Sequence, residues 1–381
     1  MPFAEPKDDL VAAEDDEEDP EGLMRSIVQT LVLDRNARSN SLPYILSSYL
    51  RWMTCTLFEP MARAYMVKDF LTLRCTISDS LRDAAMLIAD FSGMLSHKSE
   101  LTLSTSSVTA LLEGRVCSQL AWTESIFACR PEAYRDDAFM VLAHVYESRF
   151  LHPHSGVRHT PAMDILLSLI TCRPMVFEYD TPMYNQKDSA RQIGLQWRIG
   201  LPDEFLVVLC QMNKLLQEHA SSIDSILIDH LEARINNFEP RLDRTPDSSL
   251  YVTRLMVQEC WRQFMYIYLY MGVCRTNSHD VRVEKALKHL IKLLNMIKPG
   301  RLPDIFLVTP ISLAGMAAHH ERDREVIRWR IRGVYEYSWS DTYVRNAADI
   351  LEVVWATADG ENRPAIWSDL RFACRAITGI V

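Results

Sequence analysis

Hydrophobic residues recur three and four positions apart along most of this chain, the spacing that lines one face of an α-helix. Between 204 and 218 the apolar positions are Phe205, Val208, Leu209, Met212, Leu215 and Leu216, with Pro202-Asp203 as the helix start. Ile223, Ile226, Leu227, Leu231, Ile235 and Phe238 make a second stripe. Val283, Leu287, Leu290, Leu294 and Ile297 make a third, closed by Lys298-Pro299-Gly300, a base followed by two helix breakers. Beyond the N-terminal stretch, prolines such as Pro43, Pro60, Pro174, Pro240, Pro303, Pro310 and Pro364 stand between periodic runs, as punctuation between helices. Strand-like alternation is essentially absent, and no repeat of about 34 or 40 residues recurs. The pattern predicts an all-α protein: one large multi-helix domain over residues 23–381, with roughly fourteen helices of ordinary length. The least regular stretches are 96–107 and 151–161.

Composition agrees with that reading. Twelve glycines in 381 residues are few for the tight turns of a barrel, a sandwich or a doubly wound sheet. The longest apolar stretch, Phe264 to Cys274, is about half of what a bilayer-spanning helix needs, so no membrane segment is expected. The N-terminus has neither the basic start nor the apolar run of a signal peptide. The nine cysteines stand at 55, 75, 117, 129, 172, 210, 260, 274 and 374. None is close enough to another for a local zinc-binding pair, and their apolar neighbourhoods predict buried free thiols in a reducing compartment.

Charge is placed unevenly. Residues 1–24 hold ten Asp or Glu against Lys7 alone, which accounts for the whole net charge of −9, so residues 25–381 balance. Residues 1–22 therefore read as a disordered acidic tail, and the totals show no basic nucleic-acid surface. Within the tail, Asp15-Asp16-Glu17-Glu18-Asp19 matches the Asp-Asp-x-x-Asp by which helical terpenoid synthases hold magnesium against a diphosphate. No second metal-binding stretch accompanies it, and a self-repelling tail is not a cavity wall. His152, His154 and His159 read as incidental loop histidines, and His319-His320 lack the spacing that puts two imidazoles on one helix face. Arg282, Lys285, Lys288 and Lys292 form a basic stripe opposite an apolar helix face and read as a solvated surface. No catalytic, cofactor-binding or metal-ligating residue is expected.

One resemblance orders the C-terminal third. Glu259-Cys260-Trp261-Arg262, followed by Tyr266-Ile267-Tyr268-Leu269-Tyr270, is similar to the "E-x-W-R … I-Y-L-Y" helix of the fungal-specific transcription factor domain. That domain is the helical regulatory region of fungal zinc binuclear-cluster regulators. Thr309 to Gly315, with Pro310, Ala314 and Gly315, resembles the family's "P-x-x-x-A-G" helix, and Asp323-Arg324 resembles the Asp-Arg that opens its next helix. Leu351-Glu352-Val353-Val354-Trp355 and Pro364 to Asp369, with Trp367, resemble its C-terminal "L-E-x-x-W … W-x-D" segment. Residues 23–250 resemble the family only in being helical. At the matching positions, Pro310 suits a first helical turn and Ala314-Gly315 a close helix approach. Asp323 suits a cap for a helix beginning at Arg324. All are expected to hold the fold.

The resemblance implies regulation of RNA polymerase II transcription in the fungal nucleus, with coregulator proteins or the transcription machinery as partners and a small molecule as a further effector. Family members carry a six-cysteine zinc cluster ahead of this region. These residues contain no such spacing, so direct DNA binding by them is not expected. The acidic segment, with Leu10, Val11, Leu23 and Met24 at its edges, offers an activation-type or a solubilising role. Two other readings stay open: an all-α enzyme of terpenoid-synthase type, and a plain helical scaffold for protein partners.

Overall fold

A computed structural model of the chain describes Leu23, residues 40–77 and scattered positions to 89, 162 and 164–177 with 179, 196–218, 223–242, 245, 247–334 and 343–379. Most of these residues are helical, and among them there is no strand; one isolated bridge pairs Asn277 with Ile366. The all-α class read from periodicity is thus the class observed. The acidic stretch 1–22 and the histidines at 152, 154 and 159 lie outside the described residues. The chain divides into two compact units, one within residues 1–157 and joined by 245–247, the other formed by 158–244 and 248–381.

In the first unit, α1 (Ser41–Thr56) and α2 (Met61–Ile77) pack on each other across the buried turn at 57–60. Ile45, Leu71, Cys75, Ala85 and Ala89 form their shared core.

The second unit is built around the long helix Ser248–Ile267. A four-residue turn, α3 (Gln196–Ile199), leads to α4 (Asp203–Glu218), whose first-turn acids, Asp203 and Glu204, suit the positive end of the helix dipole. α5 (Ser225–Asn236) starts where the Asp224 carboxylate accepts the Ile226 N–H at 3.0 Å. Only the C-terminal part of its apolar stripe is buried: Leu231 and Ile235 are inside, whereas Ile226 is 72% exposed. α6 (Ser248–Ile267) then runs through the centre and continues into a π-helical turn, Tyr268–Val273. It packs against α4, α5, α7 (Val281–Met296) and α8 (Arg301–Gly315), which is why Val257, Cys260, Trp261, Phe264, Met265 and Ile267 have no exposed surface. Helices α9 (Glu321–Arg332), α10 (Tyr343–Gly360) and α11 (Trp367–Thr378) close the unit, α10 packing on α8, α9 and α11.

Two local expectations fail. Pro310 lies inside α8, not in a first turn; the backbone leaves helical geometry at Leu302, so the regular helix starts at Pro303. An interior proline costs about 3 kcal/mol. Here Leu307, Val308, Ile311, Leu313 and Ala314 are all buried on the same helix, and that burial outweighs one lost backbone bond. Likewise α9 begins at Glu321 with His320 as its N-cap, so Asp323 sits in the first turn, its own N–H bonded to the His320 carbonyl at 3.0 Å. Its charge favours the helix start without capping it.

Candidate functional site

The residues singled out by their pattern gather where α8, α9 and α10 meet. Gly315 ends α8 at the crossing: a Cβ there would lie 3.2 Å from Ile327 Cδ1 on α9 and 3.4 Å from Leu351 Cδ1 on α10. A side chain there would have to push both neighbours back by a few tenths of an ångström, so the bare backbone suits this close crossing. The Gly315 carbonyl accepts the Trp355 indole N–H at 3.0 Å, which satisfies the one polar atom of a buried ring. Arg324 donates from Nη1 and Nη2 to the two Asp359 oxygens at 2.5 and 2.9 Å, and from Nε to the Ala318 carbonyl at 2.9 Å. Arg328, one turn on, forks onto Glu352 at 2.6 and 3.0 Å. Both guanidinium groups lie over the Trp355 ring, at 5.4 and 4.9 Å. Two planar arginine–carboxylate forks therefore clamp α9 to α10 across one indole. The Arg324 hydrogen bonds hold Asp359 below the ordinary carboxylate range.

A second group forms around α6. Glu259 accepts from Gln263 at 2.7 Å and pairs with Arg262 at 3.4 Å; Arg262 also donates to the Phe238 carbonyl at 2.7 Å. These contacts fasten α6 to the segment after α5. Trp261 is fully buried and stacks edge-on against Phe264 at 5.7 Å. In the π-helical turn the Tyr268 hydroxyl donates to Asn213 Oδ1, and Asn213 Nδ2 donates to the Ile165 carbonyl. The Tyr268 ring lies 4.8 Å from that of Trp367, whose indole N–H reaches the Leu169 carbonyl at 2.9 Å. Trp367 opens α11. There Asp369 accepts the Ile366 N–H at 2.9 Å and takes an Arg363 fork at 2.7 and 2.8 Å. Thus Trp261, Trp355 and Trp367 each sit at a junction between helices.

Three features were not legible beforehand. The Tyr268-to-Val273 turn is π-helical, and all six of its residues are buried. Arg330 (1% exposed) meets Asp304 (4% exposed) at 2.6 Å inside the α8–α9 contact. Burial pushes the Asp304 carboxyl up to about 6, against the opposing pull of Arg330. Its signal was present: an arginine between Ile327 and Ile331 on the apolar side of α9. Finally, the turns before α7 and α9 bring His279, His319 and His320 together, with ring centres 4.6 and 4.0 Å apart and Glu284 at 3.7 Å from His319 Nε2.

The chemistry available is limited. Among the described residues, no group of three or more His, Cys, Asp or Glu is placed to hold a metal ion. Burial raises the thiols of Cys75, Cys210 and Cys274, Cys210 to about 11, which disfavours the reactive thiolate. Cys75, Cys210, Cys260 and Cys374 are buried as expected, but Cys172 is exposed because it ends the helical run 164–171 in a left-handed turn (φ 52°). No described helix is long and apolar enough to cross a membrane.

Neither a curated protein nor a solved structure matches the chain. A family model described as the fungal specific transcription factor domain matches residues 162–374, reaching well upstream of the motif helices. The helical run that receives Trp367, the α4–α5 pair and the whole motif cluster all fall within that span. More than half of the chain is covered, and the chain belongs to the fungal specific transcription factor domain family.

Proposed function

We propose that the chain is a non-catalytic regulatory domain of RNA polymerase II transcription, working in the fungal nucleus through contacts with coregulator proteins. Membership of a transcription factor family carries the role in transcription regulation. The finer reading is supported by how the motif residues are used. Trp261, Arg262, Gly315, Arg324, Trp355 and Trp367 all spend their polar atoms or surface on neighbouring elements, and Glu259 braces Arg262 and Gln263 within α6. Such residues make a rigid body for presenting surfaces to partners. In this reading residues 23–381 act as the regulatory domain, the acidic residues 1–22 as an accessory segment, and DNA is read by another module.

The test is a fusion of the whole chain to a heterologous DNA-binding domain, assayed on a reporter in fungal cells. A change in reporter output that Gly315→Val abolishes at unchanged protein level is expected. An unchanged reporter, together with cytosolic recovery of the chain, would overturn the proposal.

A further inference from the structure

The outer face of α7 is a long, nearly single-sign surface. Lys285, Lys288, His289 and Lys292 all point to solvent, and Glu284, the helix's one acid, is half-buried and already held by Lys288 at 3.0 Å. Lys285 and Lys292 have no carboxylate partner among the described residues. Val281 (79% exposed) and Met296 (59% exposed) stand at the two ends of the same face. At 1.5 Å per residue the row runs about 22 Å. Successive helical positions place Val281, Lys285, Lys288, Lys292 and Met296 within one sector of the helix.

We infer that this face docks an acidic segment of a partner protein in which carboxylates alternate with apolar side chains. The inference rests on the regulatory reading above and names the partner's chemistry. Charge complementarity sets the sign: four bases and His289 stand on or beside this face against one acid, Glu284, which Lys288 holds, so Lys285 and Lys292 are offered to an anionic partner. The apolar ends set the pattern, because exposed Val281 and Met296 offer contact area to apolar side chains that phosphates do not supply. Nucleic acid is the poorer occupant. The helix has one arginine, and Arg282 is committed, bonded to Asp280 at 3.0 and 3.2 Å and lying 4.4 Å over the Tyr270 ring. No aromatic side chain stands on the exposed face to stack a base.

The experiment uses the full chain and a fluorescein-labelled peptide of alternating Glu and Leu, followed by anisotropy. Saturable binding that weakens as salt rises is expected, since exposed charges are screened. The double change Lys285→Glu with Lys292→Glu should cut affinity by about tenfold or more, and Val281→Ser with Met296→Ser by about threefold. All four positions are exposed, so the variants should keep the wild-type thermal melt. The inference is overturned by absence of binding, by equal binding of the charge-reversed protein, or by equal binding of a polyglutamate peptide without Leu. Displacement of the peptide by a DNA duplex at lower concentration overturns it as well. A reporter response that survives while peptide binding fails would remove this inference alone.

Discussion

Breaking the Asp304–Arg330 pair should expose how the α8–α9 contact is held. Both side chains are almost fully buried, and the 2.6 Å approach is an ion contact lacking hydrogen-bond alignment, with Arg330 Nε unpartnered among the described residues. Each has one auxiliary bond: Arg330 Nη1 to the Ile297 carbonyl at 2.9 Å, and Asp304 Oδ2 from the Gly300 N–H at 3.3 Å. Attraction therefore only partly offsets desolvation. Asp304→Leu strands a guanidinium that stays charged at any working pH, and should cost about 3–5 kcal/mol. Arg330→Met should cost a similar amount near neutral pH and less in acid, because the stranded carboxyl can take up a proton. The double variant should lie within about 1 kcal/mol of wild type or above it, as apolar replacements of poorly satisfied buried pairs do. In the wild type the sign also follows. The native carboxyl, raised to about 6, holds its proton more tightly than the unfolded chain does. Its favourable contribution is complete below the ordinary carboxylate range and is lost as pH rises through about 6. Urea unfolding at several pH values, read by the buried Trp261, Trp355 and Trp367, would measure the cycle. Single variants within about 1 kcal/mol of wild type, or additive losses in the double variant, would refute the reasoning.

Further outcomes can be checked in the same assay. A Cβ on Gly272 would sit 2.5 Å from the Tyr268 ring, which Asn213 and Trp367 pin, so Gly272→Ala should destabilise by about 1–3 kcal/mol. Gly360→Ala meets nothing within 4 Å and should be neutral or stabilise by about 0.5–1 kcal/mol; a loss there would show that the space beside the end of α10 is filled. Gln258 has no exposed surface and neither amide atom is hydrogen-bonded among the described residues, so Gln258→Met should raise stability by about 1 kcal/mol. Lower stability in that variant would mean the amide has a partner. Burial, then the neighbouring His320 and His279, lower the His319 pKa against the pull of Glu284. The native state thus takes up this proton less readily than the unfolded chain. The stability it supplies is complete above the ordinary imidazole pKa and should drain away as pH falls below about 6.5, a slope that His319→Gln should flatten.

Periodicity was a sound guide wherever one face of a helix is buried. α7 begins and ends within a residue or two of its stripe, with Val283, Leu287, Leu290 and Leu294 buried and Lys285, Lys288 and Lys292 exposed; α4 keeps its bounds too, though Phe205 to Cys210 are all buried there. Periodicity failed where burial comes from several sides. The first residues of the Ile223-to-Phe238 stripe look like core, yet Ile226 faces solvent because nothing described packs over that end of α5. Pro310 reads as a helix start by propensity, and only the packing of α8 against α6 and α10 explains its place in the interior. The motif tryptophans were legible as core residues. Their partners were not: Trp367 bonds to a carbonyl 198 positions away, and no local pattern encodes that distance.

From the sequence alone come the helical class, the segregation of all net charge into the first 24 residues and a family likeness in the last third. These follow from local preferences, from the period of apolar residues and from plain counting. The tertiary structure decided which charges are buried and which are free. Arg330 and Lys292 are both cations on amphipathic helices, yet one is sealed against Asp304 and the other is offered to solvent. That difference depends on which helices stack on which, and stacking is a property of the whole packed chain.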